Sequence, residues 1–96
     1  MLDCVNGLSE ALKTLGDPVR LRILKELIKS PVEKKDICVQ ELASKLDVSQ
    51  PNVSHHLRIL KMMGFIACDR DHRFAYYSVN RDKVEEVLSE VRTYLG

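Results

Sequence analysis

Apolar residues recur along this chain first at helical and then at strand spacing. Leu8, Ala11, Leu12 and Leu15 fall at helical intervals, and Gly16 ends the run. Asp17-Pro18 reads as a helix start: the Asp side chain caps, and Pro at the first helical position gives up only a donor that would go unused. Leu21, Leu24, Leu27 and Ile28 form the expected apolar stripe of this second helix. Arg20, Arg22, Lys25 and Lys29 are spread over its polar surface, and Ser30-Pro31 closes it. Val32 to Asp36 is a charged connector. Val39, Leu42, Ala43 and Leu46 then recur at i, i+3, i+4 and i+7, which predicts a short amphipathic helix over 39–46.

Asp47-Val48-Ser49 predicts a tight turn into the next helix, with Ser49 as its cap and Pro51 tolerated in its first turn. That helix carries Val53, Leu57 and Leu60 on its buried side and stops at Gly64. The period then changes. Phe65 to Asp69 and Phe74 to Val79 are rich in aromatic and β-branched residues, with Arg70-Asp71-His72-Arg73 between them, so a β-hairpin with a polar tip is expected. Asn80-Arg81-Asp82 opens a last helix with Val84, Val87, Leu88, Val91 and Leu95 on one side. The predicted fold is α+β and mostly helical, a winged helix-turn-helix occupying residues 1–96 as a single domain.

A short helix, a tight turn and a second capped helix suit duplex DNA when the second helix has one face in the core and the other free for the major groove. At 100° per residue, Val53, Leu57 and Leu60 cluster on one side, and Ser54, His55 and Arg58 fall opposite, with Pro51 and Met62. Gln50 and Asn52 sit in the first turn, where side chains reach base edges. Gln and Asn pair with adenine through two hydrogen bonds, and Ser is permissive. Arg58 is better placed for a phosphate. Arg70 and Arg73, at the hairpin tip, are expected against the backbone or in a minor groove.

The net charge of +1 changes this picture little, because its distribution is uneven. Residues 50 to 83 carry Arg58, Lys61, Arg70, Arg73, Arg81 and Lys83 against Asp69, Asp71 and Asp82, a net of +3. Residues 84 to 96 carry Glu85, Glu86 and Glu90 against Arg92, a net of −2. Phosphate binding needs a local basic face rather than a basic protein. With 45% apolar and 30% charged residues, the composition is that of an ordinary soluble globular protein. Met1 to Gly7 has no basic region followed by an apolar one, so a cytoplasmic protein without signal peptide or membrane span is expected. Cys4, Cys38 and Cys68 are odd in number and widely spaced, which argues for free thiols rather than a disulfide framework. No Gly-rich phosphate loop, nucleophile elbow or pair of carboxylates on one helical face is present, so no enzyme signature emerges. An interaction module, a winged helix serving as a dimeric adaptor, is the other reading. It predicts a degraded reading face, and the polar set Gln50, Asn52, Ser54, His55 and Arg58 argues against it.

LGDPVRLRIL (15–24), ICVQELASKL (37–46), VSQPNVSHHLRILKMMGFI (48–66) and FAYYSVN (74–80) together resemble the ArsR/SmtB family of bacterial winged-helix repressors, in the family's order and spacing. The resemblance implies a homodimer paired through its first and last helices. Leu8, Leu12 and Leu15, with Val84, Val87, Leu88, Val91 and Leu95, present apolar surface for that pairing. It further implies repression at an approximately palindromic operator and release from DNA when a metal, a metalloid or a thiol-reactive oxidant is sensed. Some family members have no known inducer.

His55 is expected outward, toward DNA. His56 flanks the core side, where the family commonly has a His, and reads as a hydrogen-bonded, partly buried residue. His72 stands where similar sequences often have Gly. Cys38 immediately precedes a helix, whose N-terminus favours a thiolate. By resemblance, Cys38 and Glu41 match two positions of a known metal site within ICVQELA, but Gln40 stands where some relatives carry a second cysteine. Other relatives draw thiols from the N-terminal arm of the partner, and Cys4 is suitably placed. The candidate metal or metalloid set is therefore Cys4 from one chain with Cys38 and Glu41 from the other, a thin shell for zinc. The family's alternative site on the last helix needs a His where Val84 stands, and Cys68 matches no ligand position. Reversible thiol oxidation, and a merely structural Cys38, are the alternatives.

Overall fold

A computed structural model describes residues 4–29, 38–71 and 74–96. The elements run α1 (Cys4–Leu15), α2 (Pro18–Lys29), α3 (Val39–Leu46), α4 (Gln50–Met62), β1 (Ile66–Asp71), β2 (Phe74–Val79) and α5 (Arg81–Leu95). Each junction has a local cause. Asp17 Oδ1 accepts from the backbone N–H of Val19 at 2.9 Å and of Arg20 at 3.1 Å, so it satisfies two donors at the start of α2. Asp47 ends α3 in the left-handed region at φ 54°, a conformation Asp tolerates, and this reversal makes room for only Val48 and Ser49 before α4 begins. Ser49 caps α4 by accepting from the N–H of Asn52 at 3.3 Å.

The same device closes α4. Gly64 adopts φ +83°, and the N–H of Phe65 reaches back to the Leu60 carbonyl at 2.9 Å. A Cβ at Gly64 would meet nothing closer than the Lys83 side chain at 4.0 Å, so the backbone angle rather than crowding requires glycine.

α2, α3 and α4 enclose the core through Ile23, Leu24, Leu27, Leu42, Val53, Leu57 and Leu60, with Phe65 and Ile66 leading from it into the hairpin. α5 returns alongside α1 and contributes Val87. β1 and β2 pair antiparallel from Ile66↔Val79 to Asp71↔Phe74. Asn80 ties the hairpin base to α5: its N–H donates to the Phe65 carbonyl at 2.8 Å, its side-chain amide donates to the Gly64 carbonyl at 3.1 Å, and its Oδ1 caps Lys83. No helix among the described residues is long and apolar enough to cross a membrane.

The winged helix-turn-helix expected from the sequence is therefore present, with three departures in detail. The buried stripe of α2 is Ile23, Leu24 and Leu27, while Leu21 and Ile28 are 52% and 44% exposed. Leu21 and Ile28 lie roughly 100° or more around the helix from the centre of that face. Arg20, expected on the polar surface, instead lies on the buried side and is half-buried. Finally, Phe65 is a fully buried core residue rather than a strand residue, and the first strand runs on through Arg70 and Asp71, because Ala75 and Phe74 pair with them.

Candidate nucleic-acid interface

α4 divides cleanly between core and solvent. Val53, Leu57 and Leu60 are buried together with His56, whereas Gln50, Asn52, His55 and Arg58 are exposed and Ser54 is half-buried. Ser54, His55 and Arg58 are those that helical spacing places opposite the core, and Gln50 and Asn52 lie in the first turn of the helix. No residue of α4 is acidic, and Arg58 and Lys61 add positive charge. The open N-terminus of the helix adds partial positive charge of its own. An extended polar face with cations and no carboxylate matches the chemistry of a DNA groove, where base edges are flanked by phosphates.

Arg70 is exposed, but it lies within β1 opposite Ala75 rather than in the turn. It thus reaches out from a paired strand, a firmer support than a loop tip. Arg73 and His72 lie outside the described residues.

Behind the outward face of α4 lies a polar cluster that includes Arg20, a residue expected on the polar surface of α2. His56 is only 9% exposed, and its Nδ1 accepts a hydrogen bond from Arg20 Nε at 3.1 Å. The same guanidinium donates through Nη1 to the carbonyl of Thr14 at 3.2 Å. Asp17 Oδ1 stands 4.0 Å from His56 Nδ1. Burial, with smaller contributions from the Arg20 guanidinium and the neighbouring His55 ring, holds the His56 pKa below its ordinary value against the opposing pull of Asp17. Burial also works against the Asp17 charge, but the N–H of Arg20, the His56 ring, the N–H of Val19 and the Arg20 guanidinium outweigh it and lower the Asp17 pKa. Arg20 was detectable in principle: on a helical wheel it falls between Val19 and Leu24 on the inward side of α2.

Cys38 occupies the N-cap of α3 in an extended conformation, and its Sγ donates to Glu41 Oε1 at 3.5 Å. The structure thus brings two of the three candidate ligands together. The side chain of Cys4 lies outside the described residues. Among the described residues no group of three or more His, Cys, Asp or Glu could hold a metal ion, so Cys38 and Glu41 by themselves are not a metal centre. Cys68 is half-buried on β1, opposite Tyr77.

The sequence model of the bacterial regulatory protein arsR family matches residues 17–67, more than half of the chain. An HTH-type transcriptional regulator of Methanocaldococcus jannaschii is 36% identical over 83 residues, covering 86% of this chain and 89% of that protein. The transcriptional repressor SdpR of Bacillus subtilis is 30% identical over 89 residues, covering 93% of each. Among solved structures, the homodimeric winged helix-turn-helix DNA-binding domain Mb0332 of Mycobacterium bovis superposes with a TM-score of 0.74 at 22% identity, over 94% of this chain and 81% of that one. With a helix-turn-helix, a hairpin wing and the matching sequence in place, the chain belongs to the arsR family and is a DNA-binding transcriptional regulator of winged helix-turn-helix fold, not an enzyme.

Proposed function

We propose that this chain is a homodimeric cytoplasmic repressor that binds an operator of approximate two-fold symmetry. The observation that carries the reading is the outward face of α4, polar, cationic and free of carboxylates on a helix whose other face is locked in the core. In this reading Gln50, Asn52, Ser54 and His55 address base edges, and Arg58, Arg70 and Arg73 address phosphates. The test is enrichment of bound duplexes from a random pool of about 30 base pairs. The expected product is a pair of inverted half-sites whose centres lie roughly 34 Å apart. Failure to enrich any duplex overturns the reading.

The dimer has its own physical support. Leu12 on α1 and Leu88, Tyr94 and Leu95 on α5 are exposed, and a groove of about 750 Å³ between these helices is floored by Leu8, Ala11 and Val87. Apolar surface of this kind at one end of a small chain is stabilised by a second copy. Sedimentation at micromolar concentration is expected to give twice the chain mass, and a monomer there overturns the dimer.

We further infer that a thiol-reactive effector, a thiophilic metal, metalloid or oxidant, acts at Cys38 with Glu41 beside it and Cys4 supplied by the second chain. The support is the Cys38–Glu41 contact at the start of α3, one turn ahead of the core residue Leu42 that ties α3 to α4. Arsenite, cadmium, zinc, peroxide and polysulfide are each titrated into the reduced protein–DNA complex. At least one is expected to release DNA from the wild type and to do so less in Cys38→Ser. Equal responses, or none, overturn the sensing role and leave a regulator without this inducer.

A further inference from the structure

We propose that Asp17, Arg20 and His56 form a latch that fixes the reading helix α4 against α1 and α2, and that the latch holds only while the His56 ring is neutral. The proposal rests on the reading of α4 as the DNA-contacting helix. Arg20 and His56 are positioning residues in it, not contacts to DNA.

The hydrogen-bond chemistry dictates the protonation state. Arg Nε carries a hydrogen and can only donate, so His56 Nδ1, 3.1 Å away, must present a lone pair. The ring proton therefore sits on Nε2. The guanidinium spans three helices: its own α2, the last turn of α1 through the Thr14 carbonyl, and α4 through His56. His56 is adjacent to His55 and two positions from Ser54 and from Arg58, so a small rotation of α4 about this point moves the reading face directly. Displacements of about 1 Å in such a face are costly to recognition.

A second proton on His56 would enter at Nδ1. The bond from Arg20 would then become two N–H groups facing each other, with like charges about 3 Å apart. Among the described residues, the charged or titratable groups acting on the ring are Asp17 from the cap before α2, Arg20 from α2 and His55 from α4, and α1 offers the Thr14 carbonyl to Arg20. Asp17 is the one anion among them. It stands 4.0 Å from Nδ1 and already accepts two backbone N–H groups, so it attracts the new proton but must draw the ring closer to take it. The structure holds the first of two arrangements, Arg20 bonded to the ring; in the second, the charged ring turns to Asp17 and Arg20 is released. Because His56 binds its proton less readily in the fold than in an unfolded chain, the latch is complete above the ordinary histidine value of about 6.5 and is lost only as pH falls through the lower value that His56 has in the fold.

The test removes the neighbouring imidazole, His55, so that a change with pH reports on His56. In His55→Gln protein, affinity for a duplex selected at about pH 7.5 is followed by fluorescence anisotropy down to about pH 5. A loss on the order of tenfold is expected. His56→Asn in the same background places a non-titrating Oδ1 where Nδ1 stood, and a flat profile is expected. Profiles that fall alike, or are flat in both proteins, overturn the switch. NMR of the wild type decides the latch without DNA and without variants. The Arg20 Nε–H signal is expected to be slow to exchange near pH 7.5 and to shift in step with His56 protonation. If it does not move while His56 titrates, the latch is wrong, even if DNA binds. If the latch titrates as described but no selected duplex binds at any pH, the DNA reading has failed instead.

Discussion

Replacing Phe65 with alanine is expected to lower the free energy of unfolding by about 3–5 kcal/mol. Phe65 is fully buried and is the largest side chain in the core with no exposed surface. It sits where α4 ends and the hairpin begins, and its backbone is fastened on both sides, by its N–H to Leu60 at 2.9 Å and by its carbonyl to Asn80 at 2.8 Å. Those bonds limit how far the chain can collapse into the space left by the ring, so much of the cavity should persist. The Lys83 ammonium, 6.0 Å from the ring centre, also loses its aromatic neighbour. A loss of this size is a large share of the stability of a small domain. Urea unfolding followed by circular dichroism, at matched protomer concentration because dimerisation adds to apparent stability, gives the measurement. A change below about 1 kcal/mol would show that the hairpin folds back over the site and that Phe65 is not a keystone of the core.

The combined variant Ser54→Ala, His55→Ala, Arg58→Ala is expected to weaken binding to the selected duplex on the order of a hundredfold or more while leaving the fold intact. The three side chains share the outer face of α4, none of them is fully buried, and their removal opens no cavity. Each base contact contributes about 1–3 kcal/mol of discrimination. Arg58 acts differently: as a phosphate contact it affects all sequences alike, so its loss should flatten the salt dependence by about one unit of slope. Titrations at several salt concentrations against selected and scrambled duplexes distinguish the two kinds of loss. Unchanged affinity in the triple variant would remove α4 from the interface.

Periodicity made much of this architecture legible. The i, i+3, i+4, i+7 repeat of Val39, Leu42, Ala43 and Leu46 marked α3, and Ser49 marked the start of α4 through a bond to its own near neighbour. Val53, Leu57 and Leu60 oriented α4 and so identified its outward face. In each case the decisive interaction lies within one or two helical turns, where sequence distance and spatial distance are nearly the same thing. The arsR-family match, over residues 17–67, contains this helix-turn-helix stretch.

The tertiary structure decided what those neighbours could not. Leu21 and Ile28 look apolar enough for the core but face solvent, whereas Arg20 is tolerated on the inward side of α2 because a ring nitrogen 36 residues later accepts its hydrogen bond. Arg70 and Asp71 read as turn residues, yet they are strand residues, because the ladder is set by the partner positions Ala75 and Phe74 and not by their own preferences. By itself the sequence determined the order of the elements and the face that α4 presents, since both follow from local spacing and capping. Only the folded chain determined how a charged residue is accommodated on the inner side of α2 and what holds α4 from behind. Burying a charged group is favourable only where a partner supplies its hydrogen bonds, and that partner comes from a distant part of the chain.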